Sequence, residues 1–211
     1  MIGCPVPNCA TQMRSPRRPR ANSPPPVVTT VIPETFAYVA FDADSIREIA
    51  DQLAASIGLS DHPITIEVDE STPLARIRVS IAPDGAVHIH ADSGAFEDTR
   101  LPRQQSDDVT ATSLGRMLLR AKDRISGGFG EAPADDTLSL AHIAAWETYS
   151  LGRLERLGVP VNRQRWLYNF RNRHGFTDAG DVAFATLWAS DGLTWGALSS
   201  ISDDAAAATK V

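Results

Sequence analysis

Cysteine is nearly absent from the chain: two occur in 211 residues, Cys4 and Cys9. Beyond Cys9 no disulfide framework can brace a fold, and no thiol is at hand to serve as a nucleophile. Two thiols alone make only half of a four-ligand zinc site. Long apolar runs are missing too. A membrane-crossing helix needs about 18 to 20 consecutive apolar residues, and no such run exists. Residues 1–9 lack the apolar stretch of a secretory leader, and Arg17-Arg18 runs into prolines. The membrane is therefore not an expected partner, and the cytoplasm is the expected compartment.

Catalytic signatures are equally sparse. Neither G-x-S-x-G nor H-E-x-x-H occurs. Gly127-Gly128-Phe129-Gly130 follows no expected strand and leads to no G-K-[ST], so it is not a phosphate loop. Asp92-Ser93-Gly94 reads as a turn after a strand. No cofactor is implied, and the balance leans away from an enzyme.

What is present suits a folded domain. Apolar residues make up 43% of the chain and charged ones 22%, enough for a real core. The net charge of −6 is unevenly divided. Residues 1–34 hold Arg14, Arg17, Arg18 and Arg20 against Glu34. The rest keeps 16 of the 20 basic residues against 25 of the 26 acidic ones, a balance of −9. So acidic a body repels a phosphate backbone, and nucleic acid is not the expected partner. Residues 1–34, with Pro24-Pro25-Pro26, read as a disordered proline- and arginine-rich tail.

Periodicity predicts an α+β domain over residues 35–202, with a flexible end over 203–211. A β-α-β-β-β layer occupies residues 35–94. Its first strand is placed at Thr35 to Phe41, apolar on both faces. A helix follows, capped by Asp42 or Asp44, with Ile46, Ile49, Leu53 and Ile57 on one stripe and Gly58 at its end. Strict alternation marks strands at Pro63 to Asp69, Leu74 to Ile81 and Ala86 to Ala91. Ala95 to Asp108 reads as a polar connection. The helical half, residues 110–202, holds helices near Thr110–Ile125, Thr137–Leu157, Arg163–Arg173, Asp178–Ala189 and Trp195–Ile201.

The Pro83-Asp84-Gly85 turn allows one site to be derived. A three-residue loop with Gly85 left-handed pairs Ala82 with Ala86. Ser80 then faces His88, Arg78 faces His90 and Arg76 faces Asp92. A short return after residue 69 is expected to bring Glu67 beside Arg76. Glu67, Arg76, Arg78, His88, His90 and Asp92 thus share one polar sheet face, a candidate site for a small anionic ligand held by Arg76, Arg78 and the histidines. His-x-His spacing also suits a metal. A fixed cation at Arg78 beside His90 opposes one, and no metal is expected.

Two basic elements lie in the helical half. Arg116, Arg120 and Arg124 recur at i, i+4 and read as the wet face of a helix. Arg163, Arg165, Arg171 and Arg173 alternate with Trp166, Tyr168 and Phe170, a pattern able to hold phosphates and stack bases. Nearby, Ser190-Asp191-Gly192-Leu193-Thr194-Trp195-Gly196-Ala197-Leu198 resembles the first part of a bacterial helix-turn-helix. That resemblance implies a recognition helix bearing Arg, Gln or Asn. Ser202-Asp203-Asp204 and Ala205 to Ala208 follow instead. The leading expectation is a non-enzymatic module acting through a protein partner or self-association, because the helices carry more tryptophan and apolar surface than one small sheet can cover. An anionic-ligand binder or enzyme, and a nucleic-acid-associated regulator, are the alternatives.

Overall fold

The computed structural model describes residues 29–208. The expected disorder of residues 1–28, both cysteines and the last three residues lie outside them. The fold is α+β, in three layers: a mixed sheet, two helices on one of its faces, and four helices beyond. The first strand, β1, spans Thr29–Ile32, upstream of its expected place and inside the segment assigned to the tail. Thr29-Thr30-Val31-Ile32 is a β-branched run, and Val31 is wholly buried. Pro33 then removes a ladder donor and ends the strand.

Residues 35–41 are mostly bends instead of the expected strand, with Ala40 alone bridging to Gln104. Glu70 Oε2 accepts from the amides of Ala37 (2.7 Å) and Tyr38 (2.6 Å), and Phe36 packs edge-on against Phe41. The helix α1, Ala43–Ile57, begins at the Asp42 cap, whose carboxylate accepts from the Asp44 amide. It closes at Gly58 in the left-handed region, with φ 75°. Ile46, Ala50, Leu53 and Ile57 are buried, each large one contributing about 1.5–3 kcal/mol of burial.

Strands β2 (Ile64–Asp69), β3 (Ile77–Ile81) and β4 (Val87–Asp92) complete the sheet. Its order is β1-β2-β4-β3, with β1, β2 and β4 mutually parallel and β3 antiparallel to β4. The β3–β4 hairpin has the register derived from its turn: Arg78 pairs with His90 and Ser80 with His88, and Gly85 has φ 86°. The polar connection contains a second hairpin, β5 (Glu97–Asp98) and β6 (Leu101–Gln105).

The helices α2 (Asp107–Ile125), α3 (Leu140–Arg156), α4 (Arg163–His174), α5 (Asp178–Ala189) and α6 (Trp195–Ala207) follow. With α1, α2 covers the sheet face of Ile66, Val68, Val87 and Ile89. Its other side meets α3, around which α4, α5 and α6 pack. The folded part thus runs past residue 202: α6 continues to Ala207, and Ala205 is buried. Gly152 of α3 sits where α5 ends, and a Cβ there would lie 2.0 Å from the Trp188 carbonyl oxygen. Gly152→Ala is expected to destabilise the protein by about 3 kcal/mol, read as a lowered urea midpoint. An unchanged midpoint would contradict this packing of α3 on α5.

Candidate functional site

The outward face of the sheet lies opposite α1 and α2, and among the described residues no helix covers it. Across it, Glu67, His90 and Arg78 form one row, and Thr65, His88 and Ser80 the next. His90 Nδ1 stands 3.6 Å from Glu67 Oε2, and its Nε2 3.8 Å from Asp92 Oδ1. Arg76 Nε donates to Asp92 Oδ2 at 3.1 Å. One sequence-derived neighbour is wrong. Glu67 does not adjoin Arg76, because β4 lies between β2 and β3 and places His90 beside Glu67 instead.

The row ends in a cleft of about 530 Å³ at the carboxyl ends of β2 and β4. Asp69 and Thr72 wall it on the β2 side, Arg76 and Arg78 on the β3 side, with His90 and Asp92 from β4. Asp69 is not a free acid. Its carboxylate accepts from the Ser71 amide (2.9 Å), the Ser71 hydroxyl (2.5 Å) and the Thr72 hydroxyl (2.7 Å), which lowers its pKa to about 2. Ser93 is no nucleophile either: it is buried, and its hydroxyl donates to Glu97 at 2.9 Å.

The cleft's far wall is Arg116 of α2 with Glu147 of α3, paired at 2.6 Å. Burial pushes the Arg116 guanidinium below its ordinary pKa, and Glu147 opposes that shift. This overturns the reading of Arg116, Arg120 and Arg124 as a wet face. Arg120 and Arg124 both bind Asp135, and both guanidinium groups lie over Trp146, at 4.9 and 5.0 Å. Behind them Asp123, buried, takes a bidentate pair from Arg153 (2.6 and 2.7 Å) and the Trp146 indole N–H (2.8 Å). The stripe is an interior seam between α2 and α3. The i, i+4 spacing showed one face; only the tertiary contact says that it is dry.

The arginines of α4 do not converge. Arg171 forms a bidentate pair with Asp181, and Arg163 lies over Phe184 and Trp188. Arg165 and Arg173 are exposed. As expected from their spacing, Phe170 is buried and Trp166 half-buried. The helix-turn-helix resemblance is not carried through, since α6 continues unbroken where a turn and recognition helix should follow.

Comparison with protein-family models, with curated proteins and with solved structures finds no match. Among the described residues, no group of three His, Cys, Asp or Glu side chains could hold a metal ion, and no helix is long and apolar enough to cross a membrane.

One titratable group escaped sequence reading because nothing in its neighbourhood marks it. His174, buried, stacks on Phe170 at 3.8 Å between ring centres, and its Nε2 lies 2.8 Å from the Ser202 hydroxyl, tying α4 to α6. Burial lowers its pKa below the ordinary value of 6.5. The unfolded chain therefore binds the proton more readily, and stability is lost as pH falls below about 6.5. In His174→Gln, the loss of denaturation midpoint between pH 7 and 5 is expected to be smaller than in the parent. Equal losses would remove His174 from the account.

Proposed function

We propose that the chain is a small-molecule-binding protein that takes a compact anion, a carboxylate or a phosphate, in the cleft at the carboxyl ends of β2 and β4. One observation carries the reading. Among the described residues, Arg78 is the cleft arginine with no acidic partner, while every neighbouring acid of the cleft is engaged. Asp92 holds Arg76, Glu147 holds Arg116, and Asp69 is saturated by Ser71 and Thr72. An incoming anion meets a guanidinium ready for a charge-assisted bond, with His90 beside it. Position supports the same reading, since ligand crevices of open sheets with parallel strands lie beyond the carboxyl ends of those strands.

A protein partner or self-association is the second reading. The apolar surplus that first suggested it is largely accounted for inside: Trp146 and Trp188 are buried, and Phe129 stacks on Trp146 at 4.7 Å. What favours it now is an exposed aromatic pair, Tyr168 and Phe176, 59% and 62% exposed and 5.7 Å apart. A light-scattering mass of a single chain, unchanged in Phe176→Asp, would remove self-association through that pair.

The anion reading is tested by thermal shift with inorganic phosphate and with succinate. Saturation at 100 times Kd stabilises by about 2.7 kcal/mol, a rise in Tm of about 5–10 °C for a chain of this size. Arg78→Ala, a change at an exposed position, should keep the unliganded Tm and lose that rise. Equal rises in both proteins, or none in the parent, would defeat the reading.

A further inference from the structure

Resting on that anion reading, we propose that the ligand is a nucleoside monophosphate, its phosphate at Arg78 and its base against Trp166. A second cleft of about 770 Å³ adjoins the first, with Ala75, Arg116 and Glu147 lining both. The chemistry changes between them. The second part is walled by Arg165, Trp166 and Asn169 of α4, by its cap Asn162, and by apolar Val109, Pro160 and Val161.

Four features define what fits there. The half-buried Trp166 supplies an aromatic surface, with the Arg116 guanidinium 5.0 Å from its ring centre, and aromatic rings hold bases by stacking. Asn169 makes no side-chain hydrogen bond within the described protein. Asn162 uses only its Oδ1, which accepts from the Arg165 amide at 3.0 Å, leaving its amide N–H groups free. Amides of this kind pair with the donor and acceptor edge of a purine. An alkyl chain in the same place would bury them unsatisfied. Finally, Asp108 lines this part together with Arg165, and its carboxylate can accept from an exocyclic amine. An adenine base meets all four conditions.

Isothermal titration calorimetry with inorganic phosphate, ribose 5-phosphate and adenosine monophosphate tests this. Adenosine monophosphate should bind about tenfold or more tighter than ribose 5-phosphate, the usual scale of base–aromatic stacking. Trp166→Leu and Asn169→Ala should each remove most of that advantage while leaving ribose 5-phosphate affinity unchanged, and Arg78→Ala should weaken both ligands. Because Asn169 holds no hydrogen bond of the fold, its variant reports on the second cleft even if Trp166→Leu fails to fold. Equal affinities for the two organic phosphates would overturn the nucleotide inference and leave the anion site standing. An advantage for adenosine monophosphate that survives Asn169→Ala would overturn the base's placement. No binding of any of the three would defeat both readings.

Discussion

The parallel pairing of β2 with β4 is the constraint from which the rest follows. It inserts β4 between β2 and β3 and gathers the carboxyl ends of β1, β2 and β4 at one end of the sheet. Glu67, His90 and Arg78 then stand in one row on the open face, and the row ends where the β2–β3 connection passes over Asp92. Register is held by the core. A slip of one residue would turn Val87 and Ile89 to solvent and bury His88 and His90, at a cost of several kcal/mol for the two aliphatic side chains alone.

The second constraint is the position of α2 as a middle layer. One side must pack on α1 and the sheet, which Leu114, Leu118 and Ala121 satisfy. The other meets α3, and there the chain places arginines rather than leucines. Desolvating guanidinium groups is costly, and a buried ion pair is not by itself a source of stability. The cost is offset by geometry: Arg153 grips Asp123 bidentately, Arg120 and Arg124 share Asp135, and both lie over Trp146. Arg116 and Glu147 lie at the same seam, between the two clefts.

Local chemistry was legible in the amino-acid order, and non-local pairing was not. Asp42 and Gly58 announced both ends of α1, and Pro83-Asp84-Gly85 set the β3–β4 register to the residue, because caps and tight turns are decided by a few neighbouring side chains. The insertion of β4 is decided by which strand best covers α1 and α2, and alternation says nothing of that. Hence the short connection points Glu67 to Arg76, where the fold sets it beside His90. Thr29–Ile32 reads as tail because prolines flank a run of only a few residues. Phe36 and Phe41 suggested a strand but serve as packing for bends. The arginine stripe of α2 reads as wet for a similar reason: a period shows that residues share a face, not what that face meets. At the candidate site, Arg78 and His90 were found from the hairpin alone. Arg116, Glu147 and Trp166 come from distant helices and were brought in only by the fold.

An anion held at Arg78, where the β2–β4 pair ends, is the central proposal. It is most directly tested by two-dimensional NMR of the arginine side-chain N–H groups and histidine ring protons during titration with inorganic phosphate. The expected result is a saturable shift of Arg78 Nε–H and of His90, with Arg156 and Arg173, remote on the helical half, unmoved. Shifts distributed over the exposed arginines, or confined to the helical half, would contradict it.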